Sequence, residues 1–234
     1  MLKTRATILL LAFLAPCLRA GNIEGNVVIK RQLTKRRVTA SVPLYQRGPG
    51  VALGADPDED PVAAERARVV IWLEGIAEPS ADPPKTVKME QENRRFLPDT
   101  LVIPAGGKVS FPNLDPIFHN VFSLSRPKAF DLGNYPKGDT RVVIFPEPGI
   151  VFVNCHLHPN MTAVIVVAPN RWNTRSDRAG HFQLSDVPPG EYTAVAWHKA
   201  AGYFRQQVRI EAGHDARIEF LIPLDVDGSR LGTK

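Results

Sequence analysis

Between Lys85 and Pro169 a cluster of turn formers interrupts the chain about every ten residues. The clusters are Pro104-Ala105-Gly106-Gly107, Asn113-Leu114-Asp115-Pro116, Tyr135-Pro136-Lys137-Gly138 and Pro146-Glu147-Pro148-Gly149. The runs between the clusters are short and rich in branched and aromatic residues, with no convincing amphipathic helical pattern. Residues 87–91, 100–103, 108–111, 119–123, 140–145, 150–154 and 162–167 are accordingly read as strands. Short strands at this tempo predict an all-β chain whose central part is a Greek-key sandwich.

The flanks have a different texture. Residues 23–29 and 68–74 read as strands, 63–66 as one short helical turn, and 48–61 as a long polar loop. Residues 79–84 form a Pro-rich linker. After Asn170, residues 181–184 and 192–197 are strands, and 208–211 is expected to turn at Ala212-Gly213-His214-Asp215 into a hairpin with 217–222. Residues 225–234 are polar and expected to be a disordered tail. Neither flank alone has enough strands to bury a two-sided core. The expectation is therefore one smaller β-sandwich split between residues 21–78 and 170–224, with residues 85–169 inserted into it and Trp72 and Trp197 sharing its core. A linear order, in which an N-terminal arm completes the central sandwich, is the alternative.

Residues 1–20 read as a secretory signal: Lys3 and Arg5 precede an apolar run from Ala6 to Leu14, and Ala20-Gly21 offers small residues for cleavage. That run is shorter than the ~18 residues of a membrane span, so no span is expected after cleavage and the location is periplasmic or secreted. Removing the signal takes away Lys3, Arg5 and Arg19 and no acid, which lowers the formal charge from +5 to +2. The basic cluster Lys30, Arg31, Lys35, Arg36 and Arg37 lacks interleaved aromatics, so nothing points to nucleic acid.

Cleavage also removes Cys17 and leaves Cys155 alone. A free thiol in an oxidising compartment is a liability unless it is buried, paired between chains or bound to metal. Cys155 lies in Asn154-Cys155-His156-Leu157-His158-Pro159-Asn160-Met161, a loop that brings a thiol, two imidazoles and a thioether between two apolar runs. Thiolate and thioether favour Cu(I), while imidazole also suits Cu(II). The loop reads as three of the four ligands of a mononuclear copper site, with His119 as the fourth. Structural zinc prefers four strong ligands, and a catalytic Cys-His-His zinc would leave Met161 unexplained.

Residues 85–169 resemble the cupredoxins, the small blue copper proteins such as plastocyanin, pseudoazurin and amicyanin. The resemblance rests on Phe96-Leu97-Pro98, Phe111-Pro112-Asn113-Leu114-Asp115, His119-Asn120-Val121-Phe122-Ser123 and the Cys155 loop, in that order. The Cys-x-x-His-x-x-Met spacing is similar to the short loop of amicyanin, and carries with it an association with methylamine utilisation. The resemblance implies one type 1 copper ion held by His119, Cys155, His158 and Met161. It also implies that Asn120 ties the two ligand-bearing loops by hydrogen bonds. His156 is expected to point outward, and an exchange of its role with His158 is the alternative.

The stretch Asp177-Arg178-Ala179-Gly180-His181-Phe182-Gln183-Leu184-Ser185-Asp186-Val187-Pro188-Pro189-Gly190-Glu191-Tyr192 resembles a transthyretin-like domain of the kind found beside carboxypeptidases. That motif implies a fold and no catalysis. The function expected of the whole is an exported one-electron carrier that meets a redox protein partner. A copper-delivery or partner-docking module without electron transfer is the second expectation. An oxidase or nitrite-reducing enzyme would need further copper centres, and no additional His clusters are present to build them.

Overall fold

The computed structural model describes residues 19–33, 60–76 and 85–223. The signal segment through Leu18, nearly all of the 48–61 loop, the 79–84 linker and the 225–234 tail therefore lie outside the described residues. What is described is all-β apart from one helical turn. The N-terminal flank gives β1 (Gly21–Ile29), α1 (Ala63–Arg66) and β2 (Val70–Glu74). Then come β3 (Thr86–Lys88), β4 (Glu90–Glu92), β5 (Arg95–Leu97), β6 (Thr100–Pro104), β7 (Gly107–Pro112) and β8 (His119–Ser125). They are followed by β9 (Lys128–Tyr135), β10 (Thr140–Phe145), β11 (Gly149–Asn154) and β12 (Thr162–Ala168). The C-terminal flank supplies β13 (Asn173–Arg175), β14 (His181–Val187), β15 (Gly190–His198), β16 (Gly202–Ile210) and β17 (Ala216–Ile222).

Besides the two-stranded β4-β5 sheet, four sheets lie in layers. One has the order β14-β1-β17, the next β13-β2-β15-β16, the third β6-β12-β11-β8-β9 and the last β10-β7-β3. β2 is antiparallel to β15, with Ile71 opposite Ala196, and to β13, with Trp72 opposite Asn173. The N-terminal flank is thus hydrogen-bonded to the C-terminal one across the whole central region.

Side-chain alternation explains the layering. Val69, Ile71 and Leu73 point into one apolar core with Ile23, Phe182, Ala194, Ala196 and Phe220, while Val70 and Trp72 point the other way. On β12, Ala163, Ile165 and Val167 join Met89, Phe111, Phe145 and Val153 in a second core. The alternate residues Val164, Val166 and Ala168 meet Val70, Trp72, Val195 and Trp197 in a third layer. β2, β12 and β15 are therefore buried on both faces, and a strand buried on both faces reads as a continuous apolar run. Trp72 and Trp197 are corrected accordingly: they sit between the flank sheet and β12, whereas Trp172 fills the flank core.

Polar contacts fix the same junction. Arg68 Nε donates to Asp99 Oδ2 at 2.9 Å, Arg175 donates to the Thr100 carbonyl, and Asn170 Nδ2 donates to the Leu73 carbonyl at 2.7 Å. Burial pushes the Asp99 carboxyl up, but the hydrogen bond and charge of Arg68 outweigh it and leave the group below its ordinary value.

The Asp177-to-Tyr192 stretch has a physical logic. Asp177 accepts from the Gly180 and His181 amides, and Gly180 adopts φ +100° where a Cβ would lie 2.3 Å from the Val27 carbonyl oxygen. Tyr192 Oη then donates to the Pro188 carbonyl at 2.9 Å and closes the Pro-Pro-Gly turn. The expected hairpin of 208–211 with 217–222 is not formed. β16 pairs with β15 from Gly202 to Ile210 as the edge of its sheet, and β17 crosses to the other sheet, where it runs parallel to β1.

Candidate metal centre

His119 opens β8, Cys155 follows the last residue of β11, and Met161 precedes β12. Antiparallel pairing of β11 with both β8 and β12 brings these strand ends to one rim of the sandwich. Among the described residues His119, Cys155 and His158 form a group whose ligand atoms all lie within 4.8 Å of one another. His119 Nδ1 is 3.1 Å from His158 Nδ1, which is 3.7 Å from Cys155 Sγ. The Met161 amide donates to the His158 carbonyl at 2.9 Å, which closes the loop into a turn. The Met161 side chain is 1% exposed and belongs to the same apolar cluster as Cys155.

The surroundings select which atoms face inward. His119 is fully buried, and its Nε2 lies 2.7 Å from Asp115 Oδ2. Asp115 also accepts the Asn93 amide at 2.7 Å and the Arg94 amide at 2.8 Å. Burial alone would raise its pKa, yet the Arg94 amide, the His119 ring and the Asn93 amide together hold it below the ordinary value. A carboxylate on Nε2 keeps the proton there and leaves the lone pair on Nδ1, the arrangement that orients a metal-binding imidazole. Burial, and then the neighbouring His119, lower the pKa of the His158 imidazole. Asp115 was read from the sequence as part of a turn and of the stretch carrying the resemblance, with no role at the site. Its position four residues before His119 was the available signal.

Asn120 spans the two ligand segments. Its amide reaches Cys155 Sγ at 3.4 Å, its Oδ1 accepts the His156 amide at 3.4 Å, and its Nδ2 donates to Asp131 Oδ1 at 2.7 Å. His156 is outside the cluster: its ring lies flat on Phe122, with centroids 3.7 Å apart and planes 4° from parallel, and Nε2 is 3.7 Å from Asp131 Oδ2. The geometry thus brings His158 and not His156 to the other donors.

Two imidazole nitrogens and one thiol sulfur within 4.8 Å of one another, with a buried thioether in the same loop, fit copper. The buried Asp115–His119 contact adds to that fit. Of the remaining histidines, His198 is not among the site residues expected from the sequence. It is 1% exposed, and its Nε2 lies 3.0 Å from Oε2 of the buried Glu65, a short contact without the alignment of a hydrogen bond.

No protein-family model matches the sequence, and no curated protein does. Among solved structures, the chain is similar to amicyanin from Paracoccus versutus at 26% identity, over 37% of this chain and 85% of that one, with a TM-score of 0.34. A purple cupredoxin from Nitrosopumilus maritimus matches at 25% identity over 36% of this chain and 98% of that one, with a TM-score of 0.32. A copper-containing nitrite reductase from Thermus scotoductus matches at 23% identity over 47% of this chain and 26% of that one, with a TM-score of 0.35. The amicyanin and the purple cupredoxin are thus similar to somewhat more than a third of the chain. Among the described residues no helix is long and apolar enough to cross a membrane.

Proposed function

We propose that this is an exported protein that holds one copper ion in a type 1 site and carries single electrons between redox proteins. The observation behind this reading is the convergence of His119 Nδ1, His158 Nδ1 and Cys155 Sγ. When bound, copper would supply a couple between Cu(I) and Cu(II) at a site whose donors suit both. The residues that would hold it are His119, Cys155, His158 and Met161. Asp115 orients His119, and the Asn120 amide donates to the Cys155 sulfur and so fixes its position. Burial of Cys155 and Met161 at 4% and 1% exposure excludes water from the sulfur donors. A scaffold of sheets on both sides resists rearrangement when the metal charge changes.

The route proposed for the electron is His158, the partly exposed ligand on the turn. Phe118, Leu114 and Leu157 lie next to the site residues in sequence and are 56%, 40% and 45% exposed, an apolar rim against which a redox partner could exclude water. We assign no catalytic step to the chain. A copper-delivery role would require the ion to leave readily, and the buried thiol and thioether favour retention.

We further propose that β1, β2 and β13 to β17 make up one split domain, residues 21–78 and 170–224, that resembles transthyretin-like domains and surrounds a cupredoxin domain of residues 85–169. Pairing of β2 with β15 and β13 supports this division.

One equivalent of Cu(II) added to the purified protein tests the copper reading. An intense visible thiolate-to-copper absorption is expected, and Cys155→Ala should abolish it. Copper bound without that absorption in the unaltered protein would overturn the reading. Voltammetry then separates the two roles, because a carrier gives a reversible wave and a delivery module loses the ion on reduction.

A further inference from the structure

β10 is the last strand of its three-stranded sheet, with β7 on one side only. The Asn113 amide donates to the Asp139 carbonyl, which fixes the phase of this ladder, because in an antiparallel pair hydrogen-bonded positions alternate with non-bonded ones. Asp139, Arg141, Val143 and Phe145 therefore bond towards β7, while the amides and carbonyls of Thr140, Val142 and Ile144 point to the open edge. The side chains of those three lie on the outer face of the sheet, away from Val143 and Phe145 in the core. Val142 is 54% exposed and Ile144 50% exposed. The one charged residue of the strand, Arg141, is on the other face: it lies over the Tyr135 ring, 5.5 Å from its centroid, and pairs with Asp139 at 3.5 Å.

An exposed strand edge is normally blunted by charge, shortness or cover. The other edges of the layered sheets are. β3 and β13 have three residues each, β6 is largely buried and takes a hydrogen bond from Arg175, and β9, β14, β16 and β17 carry Asp131, Asp186, Arg205 and Arg217. β10 is stopped only by Pro146, which has no amide to offer, so pairing can run up to Phe145.

The sequence of β10 selects a second copy of itself. With a two-fold axis at Val142, Thr140 of one copy faces Ile144 of the other, Val142 faces Val142, and the outward amides and carbonyls of both strands are satisfied. Arg141 then faces Val143, and Lys137 in the preceding turn comes beside Glu147 beyond the end of the other strand. An axis at Arg141 would set Arg141 against Arg141, and one at Val143 would set Asp139 against Glu147.

We propose that β10 pairs antiparallel with β10 of a second copy about Val142, joining the two three-stranded sheets into one. Each copy offers one such edge, so assembly closes at the dimer. A single strand pair covers less than the ~1,200–2,000 Å² of a standard interface, and the dimer is accordingly reversible. Thr140 is opposite Pro112, and Asn113 Nδ2 donates to the carbonyl of Tyr135, which is opposite His119, so this end of β10 lies at the metal rim. Antiparallel pairing sends the two rims to opposite ends and covers neither His158. Metal takes no part in the contact, so the metal-free protein serves for the test.

Sedimentation velocity over a wide concentration series should show a reversible monomer–dimer equilibrium. Val142→Lys, at an exposed position, puts two cations on the axis and should leave a monomer with unchanged circular dichroism. Glu147→Lys should weaken the dimer roughly tenfold, since it sets like charges together twice, and adding Lys137→Glu in the same chain should restore it. Amide exchange of Thr140, Val142 and Ile144 should slow as the dimer forms, whereas Arg141 and Val143, bonded to β7 in either state, should not change. A monomer at every concentration, a dimer indifferent to Val142→Lys, or protection that appears on another strand would overturn the β10 contact. A dimer that Val142→Lys dissolves and the charge reversal leaves unchanged would overturn the register about Val142.

Discussion

His119 Nε2 and Asp115 Oδ2 are 2.7 Å apart, with both residues buried, so the imidazole meets its neighbours with one nitrogen already committed. Asp115→Asn keeps the shape and removes the charge. Loss of a partner of this kind typically costs 10–100-fold in metal affinity. A Cu(II) competition titration against a chelator should show a loss of that size, with the protein still folded by circular dichroism.

Met161→Leu is expected to leave copper bound and to raise the reduction potential, since a thioether that helps to hold Cu(II) is replaced by a hydrocarbon. Voltammetry beside a visible spectrum reads both. A fall in potential would count against Met161 as an axial ligand.

The Arg68–Asp99 pair gives a pH dependence of definite sign. The Asp99 carboxyl is lowered in the folded protein relative to about 3.9 in an unfolded chain. The unfolded chain therefore binds the proton more readily. The stabilisation is complete above that value and is lost as pH falls through the folded one. With side chains 38% and 42% exposed, solvent screening limits the pair to at most about 1 kcal/mol. Asp99→Asn should flatten the acid limb of a stability curve measured by urea unfolding.

His198 acts in a higher window. Burial lowers its pKa against the opposing pull of Glu65, so the folded protein holds the ring neutral where an unfolded chain near 6.5 would take a proton. Stability should decline as pH drops from about 7 through 6, and His198→Gln should reduce that decline, leaving the part carried by the His158 imidazole, which burial lowers as well. Unfolding midpoints at a series of pH values check it.

Trp72→Ala opens the layer between the flank sheet and β12. Large-to-small changes of this kind cost about 3–5 kcal/mol, and the 6% residual exposure of Trp72 places this one near the lower end. The visible spectrum of the copper form should survive, because the layer lies on the side of β12 away from the second core.

Much of this was legible in the sequence because turn chemistry is local. Pro-Gly clusters bounded β6, β7, β10, β11 and β12 within a residue or two, and the Asn154–Met161 loop announced its donors by type. β9 was missed because Lys128–Tyr135 carries Asp131 and a positive-φ Gly133, with no run of branched residues to mark a strand. The β16–β17 hairpin failed for the opposite reason. Adjacency in sequence favoured it, whereas Ile218, Phe220 and Ile222 are buried by crossing to β1 and facing Val208 and Ile210 across the core. Trp72 and Trp197 were placed on the wrong side because an unbroken apolar run does not say which residues face which layer. Asp115 hid in a turn signal, and Glu65 meets His198 only after long-range folding.

Since β2 precedes the stretch that carries His119, Cys155 and His158 and its ladder partner β15 follows it, the outer sandwich cannot close until the C-terminal flank has been made. The inner sandwich is contiguous and can form from what has already emerged, since short loop closures cost less entropy than long ones. A chain terminated after Ala168 would then present its donors on a sheet with Val164 and Val166 bare. Such a fragment would be prone to aggregate, so here completion of the outer layer protects solubility as well as fold.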